Sequence, residues 1–412
     1  MKLKLFNSAN IFIFFYCLIP VALISGPLIS EILVILIAIF AIKQVYEKNY
    51  SLFSLKTFII FLLSFYVYLL FSSILSNYPL FATFDISSYL RFILFILGSF
   101  LIIKNKNFEK TLLTILIITF LVLFFDSIFQ SIFKKNILNF PLIEKGRVSS
   151  FFLDELILGS YTIRFLPIVL GMYFLNVKKK YIDLSVISIF IVALLLILLS
   201  GERTALYLFL IESLLMLFFI KNYNFEKMIC IIFGVIIITS SLFFEKSINM
   251  RFIENTKKSF YSQNVFSFKD TDHYRIYNDF KLVFKNQNKF FGVGPKNFNR
   301  SCIEYKKNLK ENENCANHPH NSYLQIINEI GFVGLIFVLI IFIYFLRELF
   351  ILNIKFRSSP YFNTQFCIIL AIFINLFPIA QTGDFFNNWL NIVYYYPIAL
   401  FFKYKLLIDN IA

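Results

Sequence analysis

Long apolar segments are the feature that most constrains how this chain can fold. A helix that crosses a bilayer needs about 20 consecutive, mainly apolar residues. The apolar residues here are continuous within each segment and do not alternate, which excludes a transmembrane β-barrel. We therefore predict an all-α polytopic membrane protein with about twelve transmembrane helices, at residues 10–26, 28–42, 57–75, 89–103, 111–133, 157–175, 183–200, 204–220, 228–244, 322–346, 364–380 and 389–403.

The composition excludes the main classes of soluble protein. Of the 412 residues, 59% are hydrophobic and 15% are charged, whereas a soluble domain has about 45–50% apolar and about 25% charged residues. These values are inconsistent with a soluble globular domain, a disordered chain and a secreted disulfide scaffold. The net charge of +15 follows from the basic residues that flank the helices, so we predict no binding to nucleic acid.

The basic residues predict the orientation of the helices. With the N-terminus in the cytoplasm, 18 of the 39 Lys and Arg residues fall in cytoplasmic segments and five in short external loops, as the positive-inside rule requires. A long external loop, 245–321, holds 14 more, but long loops cross largely regardless of charge. Both termini are therefore predicted to be cytoplasmic. The chain forms one integral membrane domain in three parts: helices 1–9 in 1–244, the external loop domain in 245–321, and helices 10–12 in 322–412.

The five cysteines fall into two groups. Cys302 and Cys315 lie in the external loop, an oxidising environment, so a disulfide between them and two unpaired thiols are both open alternatives. The other three lie within predicted helices and suit packing against apolar side chains. The sequence has no evident cluster of metal ligands, so we predict no metal site and no cofactor.

A tight external turn separates two apolar segments at residues 200–204. It places Arg203 at the outer membrane surface, and an ionisable group at membrane depth costs about 2.5–3.5 kcal/mol. An arginine that extends its side chain to the interface would explain Arg203, but it leaves the adjacent Glu202 in so short a turn unexplained. We therefore predict a functional role for Arg203.

A second set of charged residues lies at the entry to the sixth predicted helix. Glu155 precedes the helix, and Arg164 follows nine residues later within it. In a continuous helix the two are about 13 Å apart, so they cannot touch unless the helix breaks near Gly159. A buried Arg164 that faces the interior of the bundle and a structural ion pair with another helix are both consistent with the sequence.

The external loop contains two further features. Residues 272–286 have apolar residues at helical spacing and predict an amphipathic helix on the membrane surface. His273 and Arg275 lie near its start, where the helix dipole favours an anion. The loop ends with His318 and His320 directly before the tenth helix, so two of the chain's three histidines lie at the membrane edge.

These external residues fit one kind of chemistry. Arg203 and Arg275 can bind a phosphate-type anion through forked hydrogen bonds, and Arg164 and Glu155 are further candidates for substrate binding. The imidazole of His320 can accept a proton near neutral pH. A sugar linked to a polyprenyl diphosphate at the outer leaflet would use both. The arginines would neutralise the leaving diphosphate, and the histidine would deprotonate an acceptor hydroxyl.

The sequence resembles the O-antigen ligase and polymerase family of bacterial inner-membrane proteins. Three stretches carry the resemblance: Ser-Gly-Glu-Arg-Thr-Ala at 200–205; Tyr-Arg at 274–275 with Phe-Gly-Val-Gly-Pro-Lys-Asn-Phe at 291–298; and His-Pro-His-Asn-Ser-Tyr-Leu-Gln at 318–325 with Glu-Ile-Gly-Phe-Val-Gly at 329–334. The family is similar to this chain in topology as well, with twelve spans and a large periplasmic loop between the ninth and tenth.

The resemblance implies a metal-independent, inverting glycosyltransferase that acts on glycans linked to undecaprenyl diphosphate. Arg203 and Arg275 would bind the diphosphate, and His320 would be the base. Either imidazole of the motif could serve, and His320 is favoured because it adjoins Asn321 and the tenth helix. His318 and Asn321 are placed with the substrate-binding residues.

Several alternatives remain at this stage. A ligase would pass the glycan to a sugar of the lipid A core, whereas a polymerase would pass it to another lipid-linked repeat, and the sequence does not decide between them. A transporter or flippase of lipid-linked sugars is the alternative from another class. In each case the partners are membrane lipid and lipid-linked glycan, the location is the inner membrane, and the site faces the periplasm.

Overall fold

The computed structural model describes residues 8–47, 55–104, 107–177, 183–262, 265–266, 271–310 and 314–411. Residue 1, where the first of the three predicted parts begins, and residue 412, where the last one ends, are not among the described residues. The α-helices in the described part are α1 Ser8–Ala22, α2 Pro27–Tyr46, α3 Lys56–Ile74, α4 Pro79–Ser87, α5 Leu90–Ile103, α6 Glu109–Phe133, α7 Leu158–Asn176, α8 Leu184–Ser200, α9 Arg203–Phe219, α10 Asn224–Phe244, α11 Lys246–Asn249, α12 Asn255–Phe260, α13 Asp272–Asn286, α14 Phe298–Asn308, α15 Ser322–Lys355, α16 Phe362–Asn375 and α17 Asn388–Asp409.

Other regular structure is short. Two 3-10 helices span Leu23–Ser25 and Ser150–Phe152, and a π-helix spans Met250–Glu254 between α11 and α12. Strands β1 Tyr261–Ser262 and β2 Val265–Phe266 form one antiparallel pair. The protein is therefore almost entirely helical, as predicted.

Each of the twelve predicted apolar segments coincides with a helix of the structure. Seven helical stretches in the described residues are long and apolar enough to cross a membrane, which supports a polytopic membrane protein. The number of crossings and the side on which the long loop lies stay predictions. The seven stretches are Pro27–Tyr46, Lys56–Ile74, Pro79–Ile103, Glu109–Phe133, Leu158–Asn176, Asn224–Phe244 and Ser322–Lys355.

Helix α7 lies at the centre of the bundle. Nearly every residue from Leu158 to Tyr173 is buried, because α7 packs against α16, α8 and α6. A helix that is apolar on all sides is expected to be enclosed by other helices. Helix α10, by contrast, is mostly exposed along its length and presents an apolar surface suited to lipid. The central position of α7 brings Arg164 into the interior of the protein.

Helix α15 contains a break at Gly331. This residue has φ 63° and ψ −169°, a conformation that is essentially restricted to glycine. The break frees backbone groups on both sides, and the stretch 289–294 pairs with them. Four backbone hydrogen bonds of 2.8–3.3 Å join the segments: Val293 to Asn328, Gly294 to Glu329, Phe332 to Lys289 and Val333 to Phe290, with the amide donor named first.

The carboxylate of Glu329 strengthens this connection. Its oxygens accept hydrogen bonds from the backbone amides of Lys296 (2.9 Å) and Phe298 (3.3 Å). Phe298 is the first residue of α14, so the carboxylate also stabilises the positive end of that helix. The motifs at 291–298 and 329–334, which lie more than thirty residues apart, therefore form one structural unit.

The predicted amphipathic helix over 272–286 is α13. Its apolar face packs within the protein: Val283 is fully buried, and the ring of Phe284 lies 6.2 Å from that of Phe332. The helix rests on α14 and α15. Its position on the membrane surface stays a prediction. The side chain of His273 lies outside the described residues.

Helix α14 carries Cys302, which forms a disulfide with Cys315 in the structure, with the two Cα atoms 6.2 Å apart. Cys302 packs in a small apolar cluster with Val283 and Phe298. The bridge thus links the segment before the histidine motif to α14. The other three cysteines are buried and unpaired.

Replacement of Gly331 tests the break in α15. A Cβ atom there would lie 2.2 Å from the carbonyl oxygen of Phe290, and the backbone conformation is unfavourable for alanine. We expect Gly331→Ala to lower the free energy of unfolding by at least about 1–3 kcal/mol. The measurement is thermal unfolding of the purified protein in detergent.

Gly234→Ala in α10 is the matched control, since the nearest atoms to its Cβ would lie 3.8 and 4.0 Å away. Alanine in a helix interior is favoured over glycine by roughly 0.5–1 kcal/mol, so this variant should be as stable as the wild type or slightly more so. Equal melting temperatures for the two variants would show that the break in α15 carries no such constraint.

Candidate functional site

His320 is held by contacts to its backbone on both sides. Its φ is 54°, a left-handed conformation that histidine adopts more readily than most residues. Its backbone N–H donates to Nδ1 of His318 (3.1 Å), and its carbonyl accepts from the Thr382 amide (3.0 Å). His320 lines a pocket of about 310 Å³ together with Ile276, Tyr277, Pro319, Asn321, Leu324, Ile379 and Gln381.

Asn321 begins helix α15 and anchors a neighbouring segment. Its Oδ1 accepts from the amides of Tyr323 (3.0 Å) and Leu324 (3.1 Å), as an N-cap residue does. Its Nδ2 donates to the carbonyls of Pro378 (2.8 Å) and Ala380 (3.3 Å). These four bonds use the full hydrogen-bonding capacity of the side-chain amide. Asn321, which directly follows His320, is therefore held in place by its own side chain. A contact with substrate stays a prediction.

The charge of Asp384, a carboxylate that the sequence did not single out, affects the pKa of His318. Burial, together with the nearby His320, lowers the pKa of His318 to about 4, although Asp384 opposes the shift. Asp384 is itself held in place, because its Oδ1 accepts from Gln325 Nε2 (2.6 Å) and from the Phe386 amide (2.9 Å). Asp384 follows the histidines by more than sixty residues, and no local pattern connected it with them.

Two residues of the turn at 200–204, Glu202 and Arg203, form hydrogen bonds with distant parts of the chain. Glu202 accepts hydrogen bonds from the Gly159 amide (2.6 Å), the Ser160 amide (3.1 Å) and the Ser160 hydroxyl (2.6 Å), so it caps the first turn of α7. Arg203 is the first residue of α9, and its Nη1 donates to Oγ1 of Thr256 (3.1 Å). The pairing of Glu202 with α7 explains why a carboxylate lies in this turn.

Two more arginines lie beside this turn. Arg251 Nε donates to the carbonyl of Gly201 (3.1 Å), and Glu144 bridges Arg251 (3.3 Å) and Arg147 (3.2 Å). Burial, and then the charges of Arg147 and Arg203, lower the pKa of Arg251, whereas Glu144 and Glu202 oppose this effect. Arg251 belongs to a loop rich in basic residues, and nothing in the sequence distinguished it.

The turn that carries Arg203 and the histidines lie at the same end of the bundle. Tyr207, one turn after Arg203 in α9, has its ring 6.1 Å from that of Phe377. Phe377 directly precedes Pro378, whose carbonyl binds Asn321. The segment 376–380 therefore lies between the two groups.

Arg275 lies in the first turn of α13 with an exposed side chain. The next two residues, Ile276 and Tyr277, line the pocket of His320. The structure thus brings the start of α13 to the histidine motif, as the joint assignment of Arg275 and His320 requires.

Arg164 and Glu155 are not brought together. Helix α7 begins at Leu158 and continues through Gly159 without a break, and Glu155 is exposed before it. Arg164 is only 4% exposed, and its Nη1 donates to the carbonyl of Ser160 (2.9 Å). Within the described residues it forms no direct ion pair. Arg164 therefore faces the interior of the bundle, next to the turn that Glu202 caps.

One group of potential metal ligands occurs in the described residues: Asp279, Cys302 and Cys315. The two sulfur atoms are joined in the disulfide, and Asp279 forms an ion pair with Lys306 at 2.7 Å. These donors are therefore occupied within the protein, and the group is far better explained as a structural cluster of the loop.

Comparison with known proteins identifies a family that is similar to part of the chain. Residues 188–339 match the model of a family described as O-antigen ligase. Over these residues the match supports the resemblance to the O-antigen ligase and polymerase family that the sequence indicates. It includes Arg203, Arg251, Arg275, His318 and His320. No curated protein matches the chain.

Glu202→Gln tests the cap on α7. In glutamine an NH₂ group replaces one carboxylate oxygen, so the hydrogen bond from the Ser160 hydroxyl must be lost or reversed in direction. The negative charge at the helix N-terminus also disappears. We expect the free energy of unfolding to fall by about 1–3 kcal/mol, measured by thermal unfolding in detergent. Glu155→Gln is the control, because Glu155 is exposed beside the same helix. Equal stability of the two variants would refute the capping role.

Proposed function

We propose that this protein is an O-antigen ligase-like glycosyltransferase. It would move a glycan from undecaprenyl diphosphate to a sugar hydroxyl of the lipid A core at the periplasmic face of the inner membrane. The observation that carries the proposal is the placement of His320 at the wall of a pocket, beside the first turn of α13 and at the same end of the bundle as Arg203. An acceptor hydroxyl and a diphosphate would meet at such a site.

The reaction follows from the chemistry of these side chains. The acceptor oxygen attacks the anomeric carbon of the donor while the bond from that carbon to the diphosphate oxygen breaks. His320 takes the hydroxyl proton, and the diphosphate leaves with the bonding electrons. Arg203 and Arg275 stabilise the charge on the leaving group. A single displacement of this kind inverts the anomeric configuration.

The four residues that the sequence assigns to substrate binding are proposed to have different roles: a direct contact with substrate for Arg164 and Glu155, and an indirect role for Asn321 and His318. The hydrogen bonds of Asn321 favour an indirect role through the position of His320. Arg164 is a buried residue of α7, so it would bind an anion only if that anion reached the interior of the bundle. Glu155 is exposed, so its carboxylate would accept a hydrogen bond from a sugar hydroxyl at the protein surface.

A polymerase that joins lipid-linked repeats would use the same residues, and the family match includes both activities. Deletion of the gene, followed by gel analysis of envelope glycans, separates the two. Long chains that accumulate on the lipid carrier indicate a ligase, whereas single repeats on lipid A indicate a polymerase. The family match also supports a transferase over a transporter of lipid-linked sugars.

The periplasmic position of the loop can be tested through its cysteines. In an oxidising compartment Cys302 and Cys315 pair, as they do in the structure, while three other cysteines stay free. After denaturation without reductant, a thiol reagent should label three cysteines, and after reduction it should label five. Five labelled cysteines in both samples would contradict the pairing and remove this support for the proposed topology.

The histidine and the arginines should give different defects. His320→Asn, which suits a left-handed backbone, should lower turnover by at least about 10²-fold and leave donor binding unchanged, because the imidazole acts on the acceptor. Arg203→Ala and Arg275→Ala should weaken both donor binding and turnover, since the anion is present in the ground state and the transition state. Lysine at either position should rescue only in part. The measurement is glycan transfer from purified lipid-linked donor, with donor binding measured separately.

Arg347→Ala is the control, because Arg347 is an exposed arginine near the other end of α15. It should retain wild-type transfer. A chelator should have no effect, since the proposed roles are filled by arginine and histidine side chains. Full activity of His320→Asn, or unchanged donor binding in both arginine variants, would overturn the mechanism.

A further inference from the structure

The two histidines of the motif are not equivalent in the structure. His318 points its Nδ1 at the backbone of His320, 3.1 Å from the amide nitrogen, whereas His320 lines the pocket. Their ring centroids lie 4.1 Å apart. The imidazole of His318 is therefore engaged with the backbone of the motif, and His320 borders the space in which a substrate would bind.

The direction of this hydrogen bond fixes the protonation of His318. An amide N–H only donates, so Nδ1 must be the unprotonated nitrogen, and in a neutral imidazole the proton then lies on Nε2. Burial and the proximity of His320 lower the pKa of His318 to about 4, so the ring is neutral at physiological pH. Besides His320, the charged group that faces it is Asp384, which follows α16 in the chain.

The contact also bears on the conformation of His320. A left-handed residue other than glycine persists only where its surroundings hold it. Here the amide of His320 is held by His318, its carbonyl by Thr382, and the following residue by the contacts of Asn321. Of these three contacts, the hydrogen bond to His318 is the one in which a side chain bonds directly to the backbone of His320.

We infer that His318 is a positioning residue: its Nδ1 accepts the amide proton of His320 and holds that residue in the left-handed conformation that directs its imidazole into the pocket. This inference rests on the proposed function for the role of His320. It replaces the contact with substrate that the sequence predicted for His318, and it assigns the base to His320 alone.

The geometry provides a sharp choice of variants. A side-chain acceptor that bonds to the backbone amide two residues later is the arrangement of an Asx turn, which asparagine forms readily. The Oδ1 of asparagine lies at the position of Nδ1 in histidine, whereas the polar atoms of glutamine reach toward the position of Nε2. Asparagine therefore keeps the proposed contact and removes the rest of the ring, and glutamine does the opposite.

The experiment compares glycan transfer and donor binding for His318→Asn, His318→Gln and His318→Ala. We expect His318→Asn to stay within about threefold of wild-type kcat, and the glutamine and alanine variants to lose on the order of 10²-fold, as displaced catalytic groups do. Donor binding should be unchanged in all three. The acid limb of the pH profile, which reports His320, should be the same in His318→Asn as in the wild type.

Each other outcome overturns the inference. Wild-type activity in all three variants would show that the contact is dispensable. Loss of activity in all three, with His320→Asn active, would make His318 the base. Loss in all three with His320→Asn also inactive would give the Nε2 side of His318 a direct role. Failure of the proposed function looks different, since the wild type would then transfer no glycan from the donor.

A spectroscopic measurement is independent of activity. The chain has three histidines, so 15N spectra of histidine-labelled protein in lipid discs can be assigned by single substitutions. At pH 7 the His318 signal should be that of a neutral ring with an unprotonated Nδ1. A protonated Nδ1 would contradict the proposed hydrogen bond whatever the activities of the variants.

Discussion

The arrangement of residues 289–334 depends on one break in a helix. Helix α15 cannot continue through Gly331, and its freed carbonyls and amides bond with residues 289–294. A backbone group without a partner costs several kcal/mol in a membrane, so the break is tolerated only because that stretch supplies partners. The approach is so close that a side chain at Gly292 would also collide with the backbone of Glu329. The loop and the helix therefore stabilise each other through these contacts.

The consequence for function follows from the polar contacts on the same segment. Gln325 Nε2 donates both to Glu329 (3.1 Å) and to Asp384 (2.6 Å), and its Oε1 accepts from the Phe385 amide (2.8 Å). Glu329 holds the loop, and Asp384 lies two residues after Thr382, whose amide donates to the carbonyl of His320. Contacts thus extend from the loop through α15 to the segment that holds the backbone of His320. The position of the proposed base is determined by packing around it as well as by its own motif.

The parts of this architecture that the sequence predicts are the local ones. The twelve apolar segments and the helix over 272–286 are recognisable because apolar content and spacing are properties of adjacent residues. Glu155 is a candidate for substrate binding because it is close in sequence to Arg164. In the structure α7 begins after Glu155 and leaves its side chain exposed. The cap that Glu202 provides to α7 spans 43 residues.

Contacts between residues that are forty or more positions apart leave no periodic pattern in the sequence, so the sequence alone does not reveal them. Arg251 and Asp384 were missed for this reason. Their partners, the carbonyl of Gly201 and the side chain of Gln325, lie 50 and 59 residues away. The bond from His320 to His318 spans only two residues, yet it depends on a left-handed backbone, which residue types at these positions do not require. The sequence therefore identified the histidine pair but left the roles of its members open.

The charges around the turn at 200–204 give a physical reason for an anion to bind there. The charges of Arg147 and Arg203 each lower the pKa of Arg251, and the carboxylates Glu144 and Glu202 oppose this effect. Glu202 is already engaged with the amides of α7, and Glu144 is shared between Arg147 and Arg251. Arg203 is left with a neutral hydroxyl as its hydrogen-bond partner in the described residues. A diphosphate would relieve this excess of positive charge. Because the repulsion is present before binding, part of the affinity for the donor would come from its removal.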